Sequence, residues 1–287
     1  MNVVNDEPQK NNASHARLYH YQKISDAFNR EPQLFIDNLL HFESPRRFND
    51  PFDARPHMIF SRGGNVSLDW GMQMIKRMFP TMSRPQRWEE ARKLVKKMQD
   101  PKANAEVRRK LPRSLQAHFD STTIKCFSET QTNILQWSYY GGGHKGYCVG
   151  FEFPRLWPYK RRSGKDGSIA ILKVIYAEEY PVIDIDSDLE AIVNKEVLMA
   201  SLLTKAKSWS HEQEWRALRL ETDRGLQAIE PQAIKSVTFG ALMEPAHKSF
   251  LMGLLGTRTF PVEMYECKLA EGRYELELVP IVYDRNT

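Results

Sequence analysis

A short acidic segment, Glu212-Gln213-Glu214-Trp215-Arg216, has residue types that could form the reacting edge of an active site. Alternate side chains of an extended strand face the same way, so Glu212, Glu214 and Arg216 are predicted to share one face toward a cleft. Trp215 is predicted to lie buried behind them. One carboxylate can support a cationic transition state while the other orients a nucleophile. The alternative is a surface ion pair worth about 0–1 kcal/mol, and the spacing alone does not separate the two.

An aromatic and glycine-rich segment, residues 133–146, is the second candidate. It carries Trp137, Ser138 and Tyr140 ahead of three consecutive glycines and His144. Glycines let the backbone turn sharply and approach a ligand closely, and exposed amides suit a phosphate. The segment lacks both the G-x-x-x-x-G-K-[ST] and the G-x-G-x-x-G patterns of nucleotide loops. A plain hairpin or helix-to-strand turn explains the glycines as well, and His144 is either a general base or a structural turn residue.

The first predicted strand carries a histidine between two tyrosines, in the order Tyr19-His20-Tyr21. His20 is a candidate for binding a hydroxyl or phosphate group of a ligand. Because successive side chains of a strand alternate between its faces, either His20 or the two tyrosines face the cleft.

The elements that must position these residues alternate irregularly along the chain. Strands are predicted over residues 17–21, 122–128, 145–153, 169–176, 214–220, 234–239, 259–269 and 274–282. Helices are predicted within residues 25–40 and over 188–206, with an irregular loop around Asn49. Neighbouring strands without a regular strand-helix-strand rhythm favour an α+β fold. We expect a single mixed, mostly antiparallel sheet domain with flanking helices over residues 17–287, after a disordered leader at 1–16.

The net charge of +5 is concentrated in one segment. Residues 76–113 hold thirteen Lys and Arg but four Asp and Glu, so the rest of the chain is net negative. Apolar residues recur there at near-helical spacing: Trp88, Leu94, Val95 and Met98. This pattern predicts a basic helical insertion over about 70–118, which is either simply solvated or a surface for an acidic partner or nucleic acid. In the nucleic-acid alternative residues 76–113 track phosphates, and neutralising Arg92, Lys93, Lys96 and Lys97 together should abolish binding.

Cysteine content and hydropathy exclude several classes of protein. Cys126, Cys148 and Cys267 are odd in number, far apart and without a C-x-x-C pair, so neither a disulfide framework nor a metal site is predicted. No apolar run reaches the roughly 18–20 residues of a membrane span, and the first residues lack a secretory apolar region. We therefore expect a soluble cytoplasmic protein without a membrane partner.

Several segments, taken in order, resemble the bacterial DUF2971 family. They are Leu18-Tyr19-His20-Tyr21, Ser44-Pro45 with Phe48-Asn49-Asp50-Pro51-Phe52-Asp53, Cys126-Phe127-Ser128-Glu129, Leu135-Gln136-Trp137-Ser138-Tyr139-Tyr140 with His144-Lys145-Gly146, and Lys205-Ala206-Lys207-Ser208-Trp209-Ser210 with Glu212-Gln213-Glu214-Trp215-Arg216. The resemblance covers residues 17 to about 240. It departs from the usual pattern at 139–143, where members more often show a His-Tyr and an acidic or polar turn. The family's name records that its function was undefined.

A more distant likeness is to the ADP-ribosyltransferases, which suggests an ADP-ribosyltransferase-like fold. Their landmarks are a basic first-strand residue, a middle strand with Ser and Tyr, and a late Glu-x-Glu. The likeness implies Glu214 as the catalytic carboxylate and Glu212 as the acceptor-orienting one. It implies His20 or Arg17 as an NAD anchor, and Tyr140 or Trp137 as the ring that stacks on nicotinamide. The other candidate site residues are Arg216 beside the carboxylates, and Tyr19, Asn49, Ser128, Ser138 and His144 for NAD binding.

The likeness implies an NAD-dependent ADP-ribosyltransferase or NAD glycohydrolase, acting as a toxin or defence effector. NAD would be a co-substrate, no metal is predicted, and the acceptor would be protein or nucleic acid. One alternative is a protein that binds or processes nucleic acid through the basic insertion. Another is a non-catalytic interaction domain, in which Trp137, Tyr140 and Trp215 are core residues and the carboxylates lie at the surface.

Overall fold

The computed structural model describes residues 17–63, 65–154, 157–161, 163–185, 195–220 and 225–282. Its helices are α1 (Arg30–Phe35), α2 (Leu68–Met78), α3 (Arg84–Met98), α4 (Pro101–Phe119), α5 (Ile134–Tyr139), α6 (Lys195–Leu203) and α7 (Pro245–Gly256). Its strands are β1 (Leu18–Gln22), β2 (Leu39–Phe42), β3 (His57–Ile59), β4 (Thr123–Ser128), β5 (Tyr147–Phe151), β6 (Pro158–Lys160), β7 (Asp166–Ser168), β8 (Ala170–Lys173), β9 (Ile175–Ala177), β10 (Val182–Asp184), β11 (Thr204–Ala206), β12 (Glu214–Arg219), β13 (Gly225–Ala228), β14 (Ile234–Phe239), β15 (Glu263–Leu269) and β16 (Leu276–Pro280).

A central sheet of eight strands organises the described residues, in the order β16-β15-β14-β5-β1-β4-β12-β8. All of its neighbouring strands are antiparallel except β14 and β15, which are parallel. Parallel neighbours need a crossover connection, and helix α7 supplies it between these two strands. The α+β prediction with a mostly antiparallel sheet is confirmed.

The strand register places different side chains on the two faces of the sheet. Trp215 stands opposite Phe127, and both pack into the larger apolar core with Leu18. Glu214 stands opposite Ser128, and Arg216 stands opposite Cys126. Side chains alternate along a strand, so Glu214 and Arg216 lie on the face opposite the larger core.

Three helices, α2 to α4, form the predicted helical insertion. Ser67 caps α2 by accepting a hydrogen bond from the backbone N–H of Trp70, and Ser83 forms a capping box with Gln86 at the start of α3. The indole N–H of Trp70 donates to the carbonyl of Ile185 at 3.0 Å, which ties the insertion to the rest of the fold.

The predicted apolar stripe of α3 is partly wrong. Met98 is buried, but Trp88 is 46% exposed and lies under the Arg92 guanidinium, 4.2 Å from its ring centroid. The aliphatic parts and charge of Arg92 cover this ring in place of the protein core. None of the helices in the described ranges is both long and apolar enough to cross a membrane.

Two predicted helices have different ends in the structure. Helix α1 ends at Phe35, Asn38 then takes a left-handed φ of +54°, and residues predicted as helix form strand β2. Asparagine adopts this conformation at low cost. The helix predicted over 188–206 is α6 followed by strand β11, and its residues 188–194 lie outside the described part of the chain, as does the predicted leader at 1–16. Helix α7 was not predicted.

Strands β1 and β4 separate soon after they meet. Tyr19 and Ser128 form their registered pair, and beyond it Ile124 of β4 bonds instead to the backbone of Glu43, next to β2. The imidazole of His20 spans the opening, since its Nδ1–H donates to the carbonyl of Cys126 at 3.0 Å. This fork between β1 and β4 leaves room within the sheet for a cavity.

Candidate functional site

A cavity of about 340 Å³ lies at the fork between β1 and β4. Its wall combines residues from both strands with the loop after β2, helix α5 and the segment 205–214. The lining residues that carry ionisable or amide groups are Tyr19, His20, Tyr21, His41, Glu43, Arg47, Asn49, Asp53, Lys125, Cys126, Gln136, Tyr140, Lys205, Glu212 and Glu214. The volume is in the range of pockets that hold small organic ligands.

The backbone turns between the two glutamates, which the extended-strand prediction missed. Glu212 ends a 3-10 turn, Lys207–Glu212, and Gln213 takes a left-handed φ of +46° before β12 begins at Glu214. Buried side chains fix the turn, because Ser128 Oγ and Gln136 Nε2 both donate to the carbonyl of Glu212, at 2.8 and 2.7 Å. The turn brings the Glu212 carboxylate next to that of Glu214 even though Glu212 is not on the strand.

The predicted orientation of the strand residues is correct for two of them. Glu214 and Arg216 share a face and are 3% and 0% exposed. Trp215 faces the other way, half-buried against the larger core, and its indole N–H donates to Glu129 at 2.9 Å. The carboxylates are therefore interior groups, and the alternative that they form a surface ion pair is wrong.

Arg216 is the centre of a buried ion-pair cluster. Its Nε donates to Glu214 at 2.7 Å, and its Nη2 contacts both oxygens of Asp53 at 2.8 and 2.7 Å. The remaining Nη1 donates to the carbonyl of Leu202 at 2.6 Å. A guanidinium satisfied in this way holds the two carboxylates at fixed positions.

Lys205 supplies the second buried cation. Its ammonium donates to the Glu212 carboxylate and, at 2.8 Å, to Glu214, and it lies 3.8 Å from Asp53. The pKa of Lys205 is raised, because attraction from these carboxylates outweighs the opposing effect of burial. Three carboxylates thus meet two cations, and the cluster carries one excess negative charge when all five groups are ionised.

The carboxylates of the cluster differ in the direction in which their pKa values are shifted. Burial alone would raise the pKa of Glu214, but attraction from Arg216 and Lys205 lowers it to about 2. Burial raises the pKa of Glu212 despite the attraction of Lys205, and repulsion by Glu214 adds to that rise. Burial likewise raises the pKa of Asp53. Glu214 is therefore the firmly ionised member, and Glu212 takes up a proton more readily.

Tyr140 joins the cluster to the loop after β2. Its hydroxyl donates to Glu212 Oε1 at 2.9 Å and accepts from Asn49 Nδ2 at 3.2 Å. Burial and the nearby Glu212 charge raise the pKa of Tyr140, so it remains a protonated donor at neutral pH. Behind the cluster, the hydroxyl of Tyr176 accepts from the backbone N–H of Glu214 at 2.7 Å.

His20 and Lys125 form a separate polar pair on the opposite wall. The Lys125 ammonium donates to His20 Nε2 at 2.6 Å, while His20 Nδ1–H donates to Cys126. Burial lowers the pKa of Lys125 to about 7, and burial with the adjacent Lys125 charge lowers that of His20 well below its ordinary value. His20 is accordingly neutral, and Lys125 titrates close to neutral pH.

The structure brings together only part of the predicted site. The predicted site residues that line the cavity are Tyr19, His20, Asn49, Tyr140, Glu212 and Glu214. Arg216 does not line it but holds Glu214 from behind. Because strand β1 runs along the fork, Tyr19 and His20 both reach the cavity although they point to opposite faces.

Five other predicted site residues do not line the cavity: Arg17, Ser128, Trp137, Ser138 and His144. Arg17 forms ion pairs with Glu152 and Glu263 at 3.2 and 2.6 Å, outside the cavity. Ser128 is buried and supports the Glu212 turn. Trp137 is fully buried against Tyr21, with its N–H bonded to the carbonyl of Gln131, so it is no stacking ring for a ligand. Ser138 donates back to the carbonyl of Ile134.

His144 is a structural residue of the glycine turn. It has a left-handed φ of +66° and its ring stacks on Trp137. Gly146, at the end of the turn, has no room for a side chain, because a Cβ would lie within 3.0 Å of the Gln22 carbonyl oxygen. The glycines therefore serve chain packing here, as the plain-turn alternative predicted.

Three side chains of the cavity were given no role in the prediction from sequence: Asp53, Lys125 and Lys205. Asp53 and Lys205 fall inside segments of the family pattern, which was the signal available for them. Lys125 directly precedes Cys126 and Phe127 on a predicted strand, and a lysine among apolar residues of a buried strand is unusual.

Comparison with known proteins agrees with one part of the sequence argument. A family model described as a protein of unknown function, DUF2971, matches residues 136–217. No curated protein and no solved structure matches the chain significantly. The matched segment contains Tyr140, Lys205, Glu212, Glu214 and Arg216. The DUF2971 resemblance is thus supported over the segment that supplies most of the buried charge cluster.

Proposed function

We propose that the cavity is the active site of an enzyme that cleaves the nicotinamide–ribose bond of NAD and passes the ADP-ribosyl group to water or to an acceptor. The observation that carries the proposal is the convergence of Glu212, Glu214, Tyr140 and His20 on one cavity. A firmly ionised carboxylate with an excess of negative charge lies at one end of it.

The chemistry requires stabilisation of positive charge. When the bond between ribose C1′ and the nicotinamide nitrogen breaks, its electron pair leaves with nicotinamide, and positive charge develops on the ribose. The ionised Glu214 is held rigidly in a buried setting, where such electrostatic stabilisation is strong. Its oxygens already accept from Arg216 and Lys205, so it acts through its field rather than as a nucleophile.

The second step adds a nucleophile to the ribose carbon. Water or an acceptor hydroxyl forms the new C–O bond and releases one proton. Glu212 is suited to receive it, because its raised pKa makes it the more basic of the two glutamates. The Tyr140 hydroxyl and Lys205 ammonium hold that carboxylate in place, which fixes the direction from which a proton is taken.

Release of nicotinamide from NAD is the experiment that tests this function. We expect turnover by the wild type and a loss of at least about tenfold in Tyr140→Phe, which removes one hydroxyl that orients Glu212. Tyr180→Phe is the matched control, since Tyr180 is exposed and does not line this cavity. Absence of nicotinamide release by folded wild type, with and without protein and nucleic-acid acceptors, contradicts the proposal.

Binding of single-stranded nucleic acid by helix α3 is a second proposed function. The observation that favours it is Trp88, an exposed ring beneath Arg92 on the basic helix. Lys93 pairs with Glu89 and Glu90, whereas Arg92, Lys96 and Lys97 form no ion pair with any residue that the structure describes. We expect an oligonucleotide to bind, with affinity that falls steeply as salt rises and with loss in Trp88→Ala. Binding with an affinity that neither added salt nor Trp88→Ala reduces contradicts this function.

A further inference from the structure

A second cavity of about 340 Å³ adjoins the first. Five residues line both cavities: His20, Tyr21, His41, Lys125 and Tyr140. The second continues from them along strand β1 toward helix α1. A ligand longer than one cavity can therefore lie across both.

The two cavities differ in charge. The first is lined by four carboxylates, those of Glu43, Asp53, Glu212 and Glu214, together with the cations Arg47, Lys125 and Lys205. Among the described residues that line the second there is no Asp or Glu, and its charged groups are Lys23, Arg30 and Lys125. A concave surface lined by cations alone attracts anions more strongly than the same charges on a flat surface.

The cations of the second cavity are available to a ligand. Within the described ranges neither Lys23 nor Arg30 forms an ion pair, and both are exposed. Among the described residues, the one hydrogen-bond partner of the Lys125 ammonium is the neutral imidazole of His20, at 2.6 Å. Burial lowers the pKa of Lys125 to about 7, and an adjacent anion would compensate for that burial.

We propose that the second cavity binds a phosphate or diphosphate group through Lys23, Arg30 and Lys125. Phosphate oxygens are strong acceptors, and a guanidinium with two ammonium groups is a donor set that matches them. The proposal stands without the NAD reaction. Whether the group is a free anion or belongs to a nucleotide that extends to the carboxylates is decided by the experiment.

Titration calorimetry at low ionic strength tests the site, with inorganic pyrophosphate, ADP and adenosine as probes. We expect pyrophosphate and ADP to bind and adenosine to bind at least tenfold more weakly. Arg30→Gln and Lys125→Met should each weaken binding of pyrophosphate about tenfold or more. Lys145→Met is the control, because it removes one charge from an exposed turn residue outside both cavities, and it should change affinity less than twofold.

The outcomes separate this site from the proposed reaction. Pyrophosphate binding that depends on Arg30, in a protein that releases no nicotinamide, supports the anion site and removes the NAD reaction. Absence of pyrophosphate and ADP binding, or binding that Arg30→Gln and Lys125→Met both leave unchanged, overturns the anion site. Arg30 is exposed, so its variant is expected to fold, and loss of binding there reports on the site. Tighter binding of ADP than of pyrophosphate assigns the anion to a nucleotide.

Discussion

At the scale of residues, two glutamates separated by one position have pKa values that are shifted in opposite directions. Both are buried, and burial by itself acts to raise the pKa of each. The difference arises from Arg216, which bonds to Glu214 directly, whereas Glu212 has Lys205 and the Tyr140 hydroxyl. One carboxylate is thereby kept as a fixed negative charge and the other as a base.

The acid sensitivity of the fold tests the assigned state of Glu214. Its pKa in the folded protein is about 2 against an ordinary 4.5, so its contribution is present above pH 4.5 and is lost as pH falls toward 2. The shift corresponds to roughly 3 kcal/mol. We expect Glu214→Gln to be destabilised by about that amount at pH 6, and the gap from wild type to narrow as pH falls to 3.

Urea unfolding of both proteins at pH 6, 4.5 and 3 measures this gap. Asp53 and Glu212 act in the opposite sense: their raised pKa values weaken the folded state at higher pH, and this penalty is relieved as pH falls through the folded-state pKa toward the ordinary value. Glu129→Gln, which changes a partly exposed carboxylate just after strand β4, should stay within about 1 kcal/mol of wild type throughout. A Glu214→Gln gap that is constant with pH contradicts the assigned ionisation.

The sequence predicted part of this site, and the limit has a physical origin. Alternation along a strand correctly placed Glu214 and Arg216 on one face. Asp53 and Lys205, which complete the cluster, come from other segments of the chain, and their approach depends on tertiary packing. Trp137 and Ser128 were assigned to ligand binding from the likeness to ADP-ribosyltransferases, but in the structure both form buried hydrogen bonds that support the fold.

At the scale of elements, irregular backbone creates the site. The left-handed residue Gln213 reverses the chain between the two glutamates, and the fork between β1 and β4 opens the cavity. Neither feature has a sequence signal as strong as strand alternation. A left-handed glutamine in particular is not expected from residue type, since glycine and asparagine are the usual residues there.

The glycine turn offers a matched pair of substitutions. At Gly146 a Cβ would press on backbone atoms of Gln22 and Gly141, which cannot move aside. At Gly143 a Cβ meets open space, and only the left-handed φ of +64° is strained. We expect Gly146→Ala to lower the free energy of unfolding by about 3 kcal/mol or more, and Gly143→Ala by about 1 kcal/mol.

Thermal or urea unfolding of the two glycine variants measures the difference. Equal losses would mean that the turn is governed by φ alone and that the close approach of β1 is relaxed in solution. A larger loss at Gly143 than at Gly146 contradicts the packing described for this turn. The sequence predicted that a turn occurs here, but the choice of essential glycine depends on which backbone passes nearby.

At the scale of the whole molecule, strand content was easier to predict than strand order. Most strands of the central sheet have the β-branched or aromatic alternation that local patterns detect. Their order puts β1 between β5 and β4, with β12 beyond β4, and each of these pairings joins distant segments. Helix α7 escaped prediction although it supplies the parallel crossover from β14 to β15.

The distribution of charge also appears only at this scale. The net charge of +5 does not reveal that a cavity lined by carboxylates and cations together adjoins one whose described charged groups are all cations. The basic residues of α3 contribute to the net charge but line neither cavity. Proposals about a ligand therefore depend on the local lining rather than on the composition of the chain.

The most direct test of the central claim is the rate of nicotinamide release from NAD by Glu214→Gln and Glu129→Gln, compared with wild type at pH 7. Both variants remove one carboxylate charge from the same region, but only Glu214 lines the cavity. Circular dichroism must first establish that each variant is folded. We predict a loss of at least about a hundredfold for Glu214→Gln and a change below twofold for Glu129→Gln. Equal rates in the two folded variants would contradict it.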